Sequence, residues 1–139
     1  MTVSAVFEPG TVLHYPYLWH WQDAQGETEG RKDRPVAVAV LFVGRDGQDY
    51  VLLLPLTTQK PAEGRQAIEI PATEKPRAAL DQNRSQWLML DEYNLDPVKG
   101  SYYLRQSAVT GQFSKAFMQT VLEQFRSLFP QARRVARHP

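Results

Sequence analysis

The chain has 139 residues, of which 42% are hydrophobic and 22% charged, and its formal net charge is +1, as in an ordinary globular domain with a core of its own. It has no cysteine, which excludes disulfides and thiolate metal sites, and its three histidines are too widely spaced to suggest a zinc site. Because no apolar run approaches the roughly 20 residues that span a bilayer and no secretory signal is recognisable, we expect a cytoplasmic protein.

The first half of the chain predicts three strands separated by polar loops. The segment 36–43 is apolar on both faces and should form a central, buried strand. Asp46-Gly47 supplies the positive φ of a hairpin turn, and Pro16 belongs at an edge or bulge because it cannot donate to a ladder. In chain order we expect a loosely ordered lead over 1–9, a strand over 10–19, a polar loop over 20–33, the buried strand over 36–43, a turn over 44–47 and a strand over 50–59.

Short strands and one amphipathic helix are predicted for the second half. Ser114 is a good helix N-cap, Phe117, Val121 and Phe125 fall on one helical face, and Pro130 ends the helix. The other expected segments are a strand over 67–70, one or two helical turns over 73–80, strands over 86–91 and 102–105, and a loosely ordered end over 131–139. Together these segments predict a single domain over 1–139 of mainly β (α+β) class, a small antiparallel barrel with a C-terminal helix.

A cationic loop meets the buried strand at Arg34-Pro35. Pro35 fixes its own φ and pushes Arg34 toward an extended conformation, which holds the arginine at the mouth of the strand. A loop charge fixed to a rigid strand is a common way to direct a charge at a ligand, although an ordinary surface charge is the alternative. Thr57 and Thr58 leave the neighbouring strand, and arginine together with hydroxyl groups suits a phosphate.

Aromatic side chains surround this predicted phosphate site. The run Trp19-His20-Trp21 ends the first strand, and such rings stack on unpaired bases in complexes with single-stranded RNA. The alternative is that they pack the interior of a small barrel. The arginines near the C-terminus either add attraction for nucleic acid or form a solubilising end; they are Arg133, Arg134 and Arg137.

Several short motifs follow one another in a recognisable order. They are Gly10-Thr11-Val12, then Glu29-Gly30 ahead of Arg34-Pro35-Val36, then Pro55-Leu56-Thr57-Thr58-Gln59, with a further similar run over 85–94. In order and spacing this series resembles the MazF/PemK family of toxin endoribonucleases. The resemblance covers most of 10–129.

The resemblance implies a fold, an activity and partners. It implies an SH3-like barrel with flanking helices, a homodimer, silencing by a cognate antitoxin protein, and cleavage of single-stranded messenger RNA without a metal or other cofactor. The family's catalytic arginine matches Arg34 and its threonine matches Thr57, while Glu29 matches an acidic loop position used in some members. We therefore expect Arg34 to stabilise a phosphorane, Thr57 to bind the scissile phosphate and Glu29 to act as base. The residues expected to bind substrate are Arg31, Lys32, Thr58, Gln59, Trp19, His20 and Trp21.

Two other classes of function stay open. One is a non-cleaving barrel toxin that binds a protein such as a gyrase, and the other is a degenerate homologue that binds RNA without cutting it. The presence of both Arg34 and Thr57 in this chain favours a ribonuclease, because a toxin that acts by binding a protein has no need for both residues. The chain also departs from the family pattern at Thr11, where many members have Asp, and in the longer loop with Arg31-Lys32-Asp33, which makes Arg31 a second candidate for the essential cation.

Overall fold

An eight-stranded, almost wholly antiparallel sheet organises residues 7–137, which are the residues described by the structure, a computed structural model. The strands are β1 (Thr11–Tyr15), β2 (Arg34–Val43), β3 (Asp49–Thr57), β4 (Ala67–Glu69), β5 (Trp87–Met89), β6 (Glu92–Pro97), β7 (Val109–Gln112) and β8 (Arg133–Ala136). The helices are α1 (His20–Ala24) and α2 (Lys115–Leu128), with 3₁₀ turns at Gln106–Ala108 and Phe129–Gln131. The predicted class, mainly β with a C-terminal helix, is confirmed.

The central hairpin β2–β3 carries the rest of the sheet. The strand order is β4-β5-β3-β2-β1-β7, while β6 adds to the first half of β3 and the parallel strand β8 adds to β6. The described pairings do not close the sheet into a complete barrel, so the barrel detail stays a prediction. Gly47, at φ +80°, makes the turn, and Val36 pairs with Pro55 at the other end of the hairpin. Arg34 and Thr57 therefore both lie two residues beyond that pair, at the same end.

Apolar side chains alternate between two cores on the faces of the β2–β3 hairpin, as the period of two in a strand requires. Ala37 and Leu54 point into the core beneath α2, whereas Val38 and Leu53 point into a core on the other face. The Oγ atom of Ser114 accepts a hydrogen bond of 3.1 Å from the Phe117 backbone nitrogen, which caps α2 as predicted. Within residues 7–137, neither helix has the length and apolarity that crossing a membrane requires.

Three local predictions are wrong. No strand forms over 102–105; β7 follows it instead and pairs with β1. The first strand ends at Tyr15, where Pro16 interrupts the ladder, and α1 occupies the start of the predicted loop. The C-terminal end is ordered, since β8 pairs with β6 and buries Val135. Residues 73–80 form turns in which Ala79 has a positive φ, and residues 1–6 and 138–139 lie outside the described residues.

Candidate functional site

A cleft of about 570 Å³ opens at the end of the hairpin where β2 begins and β3 ends. One wall comes from α1 and the loop before β2, the floor from the end of β3, and the other wall from the loop after β3. Eight of the ten sequence-predicted site residues line this cleft: Trp19, Trp21, Arg31, Lys32, Arg34, Thr57, Thr58 and Gln59. The structure thus brings together the residues predicted to hold a phosphate and two of those predicted to stack on bases.

Arg34 is a half-buried cation stacked on an indole. Its guanidinium carbon lies 4.9 Å from the centroid of the Trp19 ring, a cation–π contact. Burial lowers the pKa of Arg34, and its Nε atom is buried without a hydrogen-bond partner among the described residues. An unpaired buried donor costs about 1–3 kcal/mol, and such groups concentrate at functional positions.

Thr57 presents its hydroxyl at the last residue of β3. Its Oγ1 accepts a hydrogen bond of 3.1 Å from the Gln59 backbone nitrogen, which fixes the side chain in a turn. A hydroxyl that accepts through a lone pair keeps its own hydrogen for a further acceptor. Thr57 therefore keeps a hydroxyl hydrogen available in the cleft that Arg34 also lines.

The loop before β2 is held tightly against the protein. A Cβ atom on Gly30 would lie 2.1 Å from the Pro16 carbonyl oxygen, so only glycine fits this crossing. Just beyond it, Arg31 forms a 2.8 Å ion pair with Glu27 and lies over the Trp21 ring, 4.8 Å from its centroid. The wall of the cleft therefore carries two arginine–indole stacks side by side.

The opposite wall supplies two cations that sequence reasoning missed, Lys60 and Arg65. The Arg65 Nε and Nη2 atoms donate to both carboxylate oxygens of Asp91, at 2.7 and 2.8 Å, and Nη2 also donates to Glu92 at 3.1 Å. The sequence places these cations in a polar loop, and the ion pairs of Arg65 with the distant residues Asp91 and Glu92 are contacts that no local pattern indicates. Among the described residues that line the cleft, none is acidic.

Glu92 connects Arg65 to the segment that leads into α1. Its Oε1 accepts hydrogen bonds from the Tyr17 hydroxyl at 3.1 Å and the His20 backbone nitrogen at 3.0 Å, while its Oε2 faces Arg65. Burial raises the pKa of Glu92, and hydrogen bonds to these donors oppose that shift. Burial also raises the pKa of Asp91, but its hydrogen bonds with Arg65 and a backbone amide outweigh burial and lower it overall.

Two predicted site residues are not among those lining the cleft, Glu29 and His20. The Glu29 carboxylate accepts a 2.7 Å hydrogen bond from the Tyr103 hydroxyl. His20 begins α1 and contributes its backbone nitrogen to Glu92. Sequence adjacency suggested that both would reach the cleft, but the turn of the chain at each position directs them elsewhere.

The C-terminal arginines do not form a free basic tail. Arg137 is 2% exposed, and its Nη1 donates to the Pro16 carbonyl oxygen at 2.7 Å and to Asn94 at 3.1 Å. Arg134 donates to the Tyr93 hydroxyl and lines a separate groove of about 420 Å³ near the turn of the central hairpin. Arg137 packs in the interior, so neither a solubilising tail nor a surface charge for nucleic acid describes this residue.

The described residues that line the cleft thus include five cations, two threonines and two tryptophans. Within residues 7–137, no group of three or more histidine, aspartate or glutamate side chains is placed to hold a metal ion. No protein-family model matches the chain, and no curated protein matches it either. The resemblance to MazF/PemK toxins accordingly rests on the short motifs and their order.

Proposed function

We propose that this protein is the toxin of a toxin–antitoxin pair, an endoribonuclease that cleaves single-stranded RNA without a metal ion. The observation that carries the proposal is the meeting of Arg34 and Thr57 in one cleft whose described lining is cationic and carries no acidic residue. These two residues are 23 positions apart in the chain, and their motifs were singled out for a shared phosphate. As part of this proposal, the antiparallel sheet described above belongs to an SH3-like barrel, which is a more specific fold than the sheet alone.

The proposed reaction is an internal transfer at a phosphodiester. The 2′-oxygen forms a bond to phosphorus and loses its proton to solvent, the bond from phosphorus to the 5′-oxygen breaks, and that oxygen takes up a proton from solvent. Arg34 stabilises the charge that develops on the phosphorane, and Thr57 donates a hydrogen bond to a non-bridging oxygen. The products carry a 2′,3′-cyclic phosphate and a 5′-hydroxyl.

Single-stranded RNA fits the walls of the cleft. Trp21 is 48% exposed and offers a ring on which an unpaired base can stack, a contact worth about 1–3 kcal/mol per base. Lys32 and Lys60 are exposed on facing walls and suit the flanking phosphates. A duplex would keep its bases stacked on one another and leave this ring unused.

The test is cleavage of a long single-stranded RNA by the purified protein in EDTA, read by sequencing the fragment ends. We expect discrete cuts with 2′,3′-cyclic phosphates, and losses of about 100- to 1,000-fold in the variants Arg34→Gln and Thr57→Val. Arg45→Gln, at the far end of the central hairpin, is the matched control and should cleave normally. Undiminished cleavage by both site variants would refute the assignment.

A second candidate, binding of RNA without cleavage, is favoured by one observation. Glu29 lies outside the cleft and is hydrogen-bonded to Tyr103, and the described residues that line the cleft include no carboxylate and no imidazole that could act as a general base. Under this reading, wild-type protein would bind single-stranded RNA and leave it intact. The same EDTA assay, repeated with a filter-binding measurement, separates the two candidates.

We propose further that the protein forms a homodimer and that a cognate antitoxin protein silences it. The positive lining of the cleft supports an inhibitor with acidic side chains, because such side chains would compete with RNA for Arg34 and Lys32. Light scattering of the purified protein measures the oligomeric state. Co-expression with the product of a small neighbouring reading frame should restore growth and abolish cleavage; growth arrest that persists with every such neighbour would contradict the pairing.

A further inference from the structure

Arg65 differs from the other cations of the cleft in how firmly it is held. Two of its nitrogens make three hydrogen bonds, to both oxygens of Asp91 and to one oxygen of Glu92. Its side chain is nevertheless 39% exposed and lines the cleft. Nη1 makes no hydrogen bond to a described residue, so one nitrogen of a rigid guanidinium is left for a ligand.

The charge of Arg65 is already compensated. Two carboxylates lie within 3.1 Å of its guanidinium, whereas Lys32, Lys60 and Arg34 have no ion-pair partner among the described residues. A compensated arginine attracts a phosphate weakly, because the field of the two carboxylates opposes that of the cation. Its remaining N–H groups keep their direction, however, and direction is what distinguishes one base edge from another.

We propose that Arg65 reads a base of the RNA rather than a phosphate, and that the base is a guanine. Guanine presents two neighbouring acceptors, N7 and O6, to an arginine donor, and Arg65 lines the same cleft as Arg34 and Trp21. A base bound in this cleft can therefore present its edge to the Nη1 atom of Arg65. The ion pairs to Asp91 and Glu92 serve to fix the donor, so Arg65 determines specificity and is not catalytic.

This inference rests on the proposed binding of RNA, and the experiment distinguishes a failure of RNA binding from a failure of the role given to Arg65. Binding is measured by fluorescence anisotropy with 2′-O-methyl uridine oligonucleotides, which cannot undergo the 2′-oxygen attack, carrying one central guanine, adenine or uracil. For the wild type we expect about tenfold or tighter binding of the guanine oligonucleotide. The variant Arg65→Gln should bind all three alike, with an unchanged dependence on salt.

Lys60→Gln is the matched control for a cation on the same wall. It should keep the guanine preference and bind every oligonucleotide more weakly, with the slope of log affinity against log salt reduced by about 0.7. Since removal of Arg65 leaves Asp91 and Glu92 without their partner, Arg65→Lys is measured in parallel and checked by thermal unfolding. Lysine retains the charge but lacks the planar donor, so the guanine preference should still be lost.

Each remaining result has one meaning. If the wild type binds none of these oligonucleotides and cleaves no RNA, the proposed function itself fails. If the wild type binds but shows no preference for guanine, or if a folded Arg65→Lys variant keeps the preference, the role of Arg65 is refuted and the proposed function stands. A salt slope that falls in Arg65→Gln as it does in Lys60→Gln would show instead that Arg65 contacts a phosphate.

Discussion

Arg31 and Lys32 reach the cleft from the loop that precedes β2. Replacing Gly30 by alanine should displace this loop. The added Cβ would lie 2.1 Å from the Pro16 carbonyl oxygen and 2.9 Å from that of Tyr17, whereas real Cβ contacts essentially never fall below 3.0 Å. Both obstacles are backbone atoms in the segment between β1 and α1, so neither can rotate aside. The loop itself must therefore retreat by about 0.9 Å.

A displacement of this size is small for stability and large for function. The loop is mostly exposed, and moving it to relieve the clash breaks few apolar contacts. We therefore expect the free energy of unfolding to fall by about 1 kcal/mol. In a reacting site, however, a shift of about 1 Å costs about 100-fold in rate. Gly30→Ala should therefore unfold near the wild-type urea midpoint while RNA cleavage falls about 100-fold and RNA binding weakens.

Gly26 in the same loop provides the matched control. It has φ +89° and nothing within 4 Å of an added Cβ, so Gly26→Ala introduces backbone strain of about 1–2 kcal/mol without any steric push. Urea unfolding and RNA cleavage are measured for both variants. Cleavage by Gly30→Ala at the wild-type rate, or an equal loss of cleavage in Gly26→Ala, would refute the idea that contact with Pro16 positions this wall.

Three further outcomes are expected. Ser114→Ala should lower the free energy of unfolding by about 1 kcal/mol in urea titrations, because the Phe117 amide loses its cap; no change would contradict that role. Glu29→Gln should leave the pH profile of kcat unchanged, since Glu29 is hydrogen-bonded to Tyr103 rather than placed in the cleft, and loss of an acidic limb would show that it is the base. Burial raises the pKa of Glu92 above its usual 4.5 in the folded state, so the folded protein holds this proton more tightly. Stability should therefore decline as pH rises from 4.5 through the raised pKa, and Glu92→Gln should remove that slope; an identical slope in the variant would contradict this.

Elements whose sequence pattern is local could be predicted. The first half of strand β2, Val36–Ala39, is buried between two cores as predicted, whereas Phe42 and Val43 near its end are exposed. Helix α2 has its cap at Ser114 and its buried face at Phe117, Val121 and Phe125. In these buried segments the periodicity of the residues and the burial in the fold agree, because each segment packs directly on a core. The cleft contains most of the predicted residues for the same reason, since they flank these elements.

Elements stabilised by distant partners could not be predicted. The strand β8 begins with Arg133-Arg134 and has only Val135 as a buried apolar side chain, so nothing local distinguishes it from a polar tail. It forms because β6 offers it a parallel edge and because Arg137 bonds to the Pro16 carbonyl. The sequence does not single out Arg65 for a similar reason, because the position of its side chain depends on an ion pair with Asp91, 26 residues later.

The position of Arg34 relative to Thr57 depends on a single irregularity in the central hairpin. Next to the turn, Val40 pairs with Leu52, but beyond it Val38 pairs with Leu53, so Ala39 is an extra residue in β2. The paired register ends at Val36 and Pro55, and counting it on by two residues reaches Arg34 and Thr57, which the alternation of side chains then assigns to one face of the sheet. Without the bulge Thr57 would lie opposite Pro35, and its hydroxyl would face away from Arg34, because a slip of one residue exchanges the faces of a strand. The bulge at Ala39 therefore gives Arg34 and Thr57 the common face that contact of both residues with one phosphate would require.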